Sequence, residues 1–245
     1  MASYAQFAGF YDQLMGDRSA DARRVRGWIE RFAPGARSLL ELGCGTGAVL
    51  AALAGDLTVA GVDASPEMLA IAASKVPAAR LVQADMTSFA LGTQFDVVIC
   101  VFDTLNHLPT FESWLDMFDR VHEHLADGGL FAFDVNTMGR LRRLWRGPPF
   151  ARDFGPHTVI MDVTPAGGDL SDWSVRIFEH LGGDRYRRHH EVIPELGVPL
   201  ATIHEALSDR FELLEQTDLD GGTVSDESNR VFYAYRKPGD LSPQP

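Results

Sequence analysis

Two cysteines in 245 residues, Cys44 and Cys100, leave no room for a disulfide framework. They match no metal-ligand spacing, so no metal is expected, and both should pack as small hydrophobes in a reducing compartment. Long apolar runs are missing too. Nothing approaches the ~20 residues that a membrane-spanning helix needs. The opening "MASYAQFAGFYDQLMGD" has neither the basic segment nor the unbroken apolar core of a secretory signal. A cytoplasmic protein with no membrane partner is the expectation. Positive charge is scarce: lysine and arginine total 22 against 34 acids, a formal charge of -12. Such a field repels phosphate backbones, so nucleic acid is not an expected partner. No internal repeat or low-complexity segment occurs.

Hydrophobic residues make up 45% of the chain, enough to bury a substantial core. Short β-rich runs alternate with amphipathic helical runs, the pattern of a parallel sheet with helices on both faces. Strands are predicted over 37–42, 57–62, 80–83, 95–101 and 129–135, and helices over 21–32, 48–54, 66–74 and 111–125. Ser65 before Pro66 supplies an N-cap followed by a proline where its missing N–H costs nothing. "ADGG" should stop the helix over 111–125. From about Arg140 prolines and glycines break the pattern, then two β-like runs follow around "SVRIFEHLGGDRYRRHHEVI", with "LGGDRY" as a hairpin signal. A helix over 199–207 and two strands, "FELLEQTDL" and "NRVFYAYRK", come last. This divides the chain into an α/β core over 1–140 plus 195–238, an inserted β-rich lid over 141–194, and a tail over 239–245 expected to be disordered.

The stretch "ELGCGTGAVL" places three glycines between the first strand and a helix. Such a turn sets free helix amides against a ligand at the sheet's carboxyl edge. "GCGTGA" also satisfies the dinucleotide fingerprint, so a nicotinamide-dependent oxidoreductase is an alternative. Glu41 argues otherwise, because a carboxylate beside the glycines repels a pyrophosphate and suits a ligand bearing an ammonium group. Asp63 follows about 20 residues later, where an acid can accept both ribose hydroxyls. Asp85 and Met86 stand at the next strand end.

"ELGCGTG", "GVDASPEML", "QADM", "FDVVICVFDTLNHL" and "LADGGLFAFDVNT", in this order and spacing, resemble the class I S-adenosylmethionine-dependent methyltransferases. "YAQFAGFYD" and "CVFDTLNHL" are similar to the amino-sugar N-methyltransferases, within a bacterial small-molecule branch. The resemblance implies a Rossmann-like, seven-stranded sheet with one antiparallel strand. It implies S-adenosylmethionine as cofactor, with Gly43, Gly45 and Gly47 against its methionine part and Glu41 near its amino group. Asp63 would hold the ribose, Ala64 the adenine edge, Asp85 the adenine amine, and Met86 the ring. Val101 would present its carbonyl, Tyr11 would close over the site, and Met68 belongs to the same set. The implied partner is a small-molecule methyl acceptor bound by a monomer or homodimer.

Methyl transfer from a sulfonium is an in-line displacement, so positioning and exclusion of water carry much of the catalysis. A base is needed only where the acceptor must lose a proton. "FDTLNHL" offers Asp103, Asn106 and His107 there, with His107 as candidate base and Asn106 as a substrate contact. In the lid, Arg188 and His190 share one strand face and His189 and Glu191 the other; Arg188 and His190 are candidate substrate contacts. "LRRLWR" reads as an exposed basic helix face with Leu and Trp tucked inward. "GPPF" at 147–150 lacks the side-chain oxygen and the position of the Asp/Asn-Pro-Pro signature used on base or glutamine amino groups. Besides the oxidoreductase, a non-catalytic S-adenosylmethionine-binding protein and a methyltransferase acting on RNA or protein remain as alternatives.

Overall fold

In the computed structural model, which describes Tyr4 and residues 8–239, the strands divide between two sheets. Helices α1 (Ala8–Met15) and α2 (Ser19–Phe32) precede β1 (Ser38–Leu42), α3 (Ala48–Leu53), β2 (Thr58–Asp63), α4 (Pro66–Lys75), β3 (Arg80–Gln83) and β4 (Phe95–Cys100). A 3-10 turn (Thr104–His107), α5 (Phe111–His124), β5 (Leu125–Asn136) and α6 (Met138–Leu144) come next. Four antiparallel strands, β6 (Phe150–Phe154), β7 (His157–Gly167), β8 (Leu170–His180) and β9 (Tyr186–Leu196), form a second sheet in sequence order. The chain then returns through α7 (Leu200–Ser208) to β10 (Glu212–Asp218) and β11 (Arg230–Arg236). The larger sheet has the order β10-β11-β5-β4-β1-β2-β3, with β11 antiparallel to both its neighbours. The expected seven-stranded sheet with one reversed strand is therefore present. No helix of the described residues is long and apolar enough to cross a membrane.

Local chemistry explains most boundaries. The Ser65 hydroxyl accepts the Met68 amide at 3.2 Å and caps α4 ahead of Pro66. The helix before "ADGG" does end, at His124, and the segment leads straight into β5: Leu125 pairs with Phe95 and a register shift follows. The inserted region holds four strands, two more than expected. Its glycines sit largely at chain reversals, as Gly155 does between Phe154 and His157 with φ +55. The predicted tail falls almost entirely on residues 240–245, outside the described residues.

One face of the larger sheet buries Trp114, Phe118, Phe131, Phe133, Tyr233 and Tyr235, and the other buries Trp28, Leu39, Leu50, Ile99 and Phe232. Both cysteines are free and buried. A third apolar cluster joins Leu14 of α1 to Phe154, Val159, Val175, Ile177 and Ile193 of the second sheet. Each such aliphatic side chain contributes roughly 1.5–3 kcal/mol when fully buried, so α1 helps to fasten that sheet.

Asn106 makes the polar joint between the sheets. Its amide nitrogen donates to the carbonyls of Asn136 (3.0 Å) and Leu196 (2.8 Å), and its oxygen accepts the Asn136 amide (2.9 Å). Fully buried, with its donors and acceptor spent on backbone, Asn106 is a brace, not the substrate contact expected of it. Asn106→Leu strands three buried backbone groups at about 1–3 kcal/mol each. A loss of about 3 kcal/mol or more in urea unfolding is expected; a variant within 0.5 kcal/mol of the parent (about the scatter of surface changes) would refute the brace.

Candidate active site

The glycines between β1 and α3 all have positive φ, +66, +52 and +72 at Gly43, Gly45 and Gly47, but they answer three different demands. A Cβ on Gly43 would overlap Cγ2 of Thr104. A Cβ on Gly47 would press on Ala72 of α4, at 3.0 Å from its Cβ. Gly45 has open space where its side chain would be, and its amide donates to Oδ2 of Asp63 at 2.7 Å. Oδ1 of Asp63 accepts the Ser65 amide at 2.8 Å. Burial raises the Asp63 carboxyl above its usual range, and the amides of Ser65 and Gly45 oppose that rise.

Tyr4, Tyr11, Gly43, Gly45, Asp63, Met68, Met86, Phe102, Thr104 and His107 line one cavity, so seven residues expected in the site from sequence meet around one space. A second space adjoins it, walled by Arg18, Asp21, Thr46 and Val49 and sharing Tyr11, Gly43, Gly45, Phe102 and Thr104. Each encloses only about 50 Å³, and the Tyr11 ring is common to both. A ligand of nucleoside size needs several hundred Å³, more than either space offers by itself.

Behind the loop stands Glu41, 4% exposed, with Oε2 lacking any hydrogen-bond partner. Burial drives its carboxyl far above the usual range, and the charge of Asp63 adds to this. An orphaned buried carboxylate oxygen is costly unless a ligand supplies a donor or a cation. Arg18, which sequence reasoning missed, donates to Asp21 Oδ2 (3.4 Å) and Met15 O (3.3 Å), and its guanidinium lies 3.4 Å from the centre of the Phe102 ring.

The other sequence candidates sit elsewhere. Asp85 is exposed and turns its carboxylate onto the Thr87 amide and hydroxyl, at 2.8 and 2.7 Å. The Ala64 carbonyl accepts Gln83 Nε2 at 3.4 Å, and the Val101 carbonyl accepts the Thr104 hydroxyl at 2.8 Å. Arg188 and His190 lie on the outward face of β9, His190 at 3.1 Å from Ser174 Oγ. The inward face of that strand carries Ile193 and Glu195, so the expected pair does not roof a pocket.

His107 lies half-buried beneath β9. Its Nδ1 faces the Pro194 carbonyl at 3.3 Å, which assigns the proton to Nδ1 and makes Nε2 the acceptor of the Tyr4 hydroxyl at 2.8 Å. Burial lowers its pKa, against the opposing charge of Asp103, so the ring is neutral at pH 7. Tyr4 and His107 also wall a larger cavity of about 180 Å³, which extends under the second sheet.

A methyltransferase-domain family matches residues 39–129. A protein of Geobacillus sp. (strain WCH70), provisionally named a methyltransferase, is 30% identical over 96% of this chain and 100% of its own length. The dTDP-3-amino-3,6-dideoxy-alpha-D-glucopyranose N,N-dimethyltransferase of Streptomyces fradiae is 30% identical over 76% of this chain and 75% of that enzyme. The chain is a class I methyltransferase. Its fold is shared with an S-adenosylmethionine-dependent methyltransferase from Clostridium acetobutylicum ATCC 824, at 24% identity, a TM-score of 0.85, and coverage of 96% of this chain and 98% of that one. The nicotinamide alternative finds no support in these likenesses.

The methyltransferase's cofactor is S-adenosylmethionine, which supplies a methyl carbon activated by a sulfonium, and the loop residues fit it. The partnerless oxygen of Glu41 suits the ammonium, the open position 45 admits close approach, Asp63 suits the ribose, and Arg18 suits the carboxylate. Met68 and Met86 supply apolar walls.

Gly43→Ala should weaken S-adenosylhomocysteine binding at least about ten-fold in calorimetry, since clash and positive φ both oppose the loop. Gly43→Ala with Thr104→Ser removes only the overlap and should recover part of the loss. Glu41→Gln separates two effects by pH. A carboxyl raised by folding contributes stability that is complete below its ordinary value of 4.5 and lost as pH rises through the folded value. The variant should therefore gain melting temperature over the parent as pH rises above about 4.5, while binding S-adenosylmethionine more weakly at pH 7. A pH-independent difference in melting temperature would remove Glu41 from this account.

Proposed function

We propose that this methyltransferase acts on a nitrogen or oxygen of a small molecule held in the 180 Å³ cavity between the glycine loop and the second sheet, which serves as its lid. One observation carries the reading: Tyr4, Phe102 and His107 wall both this cavity and the one at the glycines. An acceptor seated in one therefore lies across a shared wall from a donor seated in the other. The enclosure favours a small molecule over a macromolecule, and the charge of -12 disfavours RNA. The Streptomyces fradiae relative, named for a sugar amine, favours nitrogen as one of the two acceptor atoms. A cytoplasmic setting suits such a substrate.

Neutral His107, with Nε2 turned to the Tyr4 hydroxyl, can take the proton that a hydroxyl or ammonium acceptor gives up, directly or through Tyr4. Burial pushes the Tyr4 phenol well up, so Tyr4 passes a proton along without holding a negative charge.

Asp63→Ala should raise the dissociation constant for S-adenosylhomocysteine at least about ten-fold, and a panel of amines and hydroxylated metabolites should release S-adenosylhomocysteine with the parent enzyme. NADH binding in preference to S-adenosylmethionine, or a panel wholly silent while a protein or RNA substrate is methylated, would refute the assignment. His107→Gln should lower kcat about 10²-fold or more with little change in KM for S-adenosylmethionine; unchanged turnover would remove His107 from the chemistry.

A further inference from the structure

The acceptor cavity carries more hydrogen-bond donors than acceptors to meet them. Arg230, at its floor, engages Asp103 Oδ1 through Nη2 (2.6 Å) and Asp134 Oδ2 through Nη1 (3.4 Å), while its Nε is buried without a partner. Trp173 of β8 lines the same space, and its indole Nε1 is likewise buried and unpartnered. Arg140 of α6 is the third donor. Among the described residues its guanidinium makes no hydrogen bond and no ion pair, and the charges of Asp103, Glu195 and Asp134 reach it only through the field.

The nearby acids are already committed. Asp103 is held by Arg230 and by Asn136 Nδ2 at 2.8 Å. Glu195 accepts Asn136 Nδ2 at 2.9 Å, and its burial, with Asp103 beside it, holds its carboxyl well above the usual range. Opposite this polar group the cavity is apolar, lined by Leu14, Met15, Met161, Val175 and Ile193.

We propose that the acceptor is recognised by an oxyanion, a carboxylate or phosphate, set against Arg140, Trp173 Nε1 and Arg230 Nε, with an apolar body of about one ring against the lid. The assignment rests on the reading of this cavity as the acceptor site. An anion supplies what each bare donor lacks, and a planar guanidinium is matched to it in two-point geometry. The size follows from the volume: about 180 Å³ here, where a dry cavity of about 150 Å³ takes a benzene ring. A ring with one short charged arm fills it.

The test uses full-length enzyme saturated with S-adenosylhomocysteine and three probes of one shape: phenylacetate, phenyl phosphate and the neutral phenylacetamide, titrated by calorimetry. At least one anion should bind about ten-fold or more tighter than the amide, and the tighter of the two identifies carboxylate or phosphate. Arg140→Gln should weaken that anion about 10- to 100-fold, and Arg140→Lys should recover part of the loss. Trp173→Phe, which keeps an aromatic ring and deletes the N–H, should weaken it several-fold. S-adenosylhomocysteine affinity in each variant reports whether the fold is intact. Equal binding of anion and amide, binding of none, or an indifferent Arg140→Gln would overturn the oxyanion site and leave the methyltransferase reading standing. Failure of the parent to bind S-adenosylhomocysteine would overturn both.

Discussion

Two consecutive non-glycine residues in the left-handed region, Phe102 at φ +67 and Asp103 at φ +50, follow β4. Conformations of this kind cost about 1–3 kcal/mol each and persist only where their surroundings impose them. Here the Asp134 carboxylate imposes them, accepting the Phe102 amide at 2.6 Å and the Asp103 amide at 2.8 Å. Asp134 is fully buried on β5, and burial, offset in part by Arg230, sets its carboxyl at about 6. From this turn the site is built. Phe102 walls all three cavities, with Arg18 over its ring and the Arg230 guanidinium at 5.2 Å. Asp103 holds Arg230 at the wall of the larger cavity, and Thr104 occupies the space that Gly43 vacates. Relaxing the turn would disturb the glycine loop and the larger cavity together.

The same contact answers why side chains are cleared at the glycines. Position 43 is bare because Thr104 stands against it, and position 47 because α4 does; only position 45 is open to a ligand while its amide is tied to Asp63. A motif with one name thus combines packing and binding demands. The acid before it adds a further demand, because among the described residues nothing satisfies the second oxygen of Glu41.

Local signals made most of the fold readable. The Ser65–Pro66 cap, the alternation of apolar strands with amphipathic helices, and the acid at the end of β2 each act within a few residues. Of the expected site residues, Asp63 and Met86, each placed by its own strand end, line the cavity at the glycines. Asp85 shows the limit, since an exposed acid two residues before Thr87 satisfies that residue's amide and hydroxyl, and sequence cannot tell this turn from a ligand contact. On β9 the alternation of faces was correct, but both faces carry charge, so parity did not reveal which one turns inward. Phe102 and Asp103 gave no signal because positive φ is announced by glycine, and neither is one. Arg140, Trp173 and Arg230 come from three distant segments that meet where the second sheet packs against the first.

Helix α1 connects the two halves of the site mechanically. On one side Asp12 accepts the Thr46 hydroxyl at 2.6 Å and pairs with Lys75, tying the helix to the glycine loop and to α4. On the other, Leu14 packs among the lid residues and Phe10 meets Phe154 edge-on with centroids 6.3 Å apart. Tyr11 lies between these attachments and divides the small cavities at the loop. Along its eight residues the helix presents Asp12 to the glycine loop and Phe10 and Leu14 to the second sheet. The walls of the two cavities are therefore linked through one short helix, whose apolar face packs on the second sheet and whose acid binds the glycine loop.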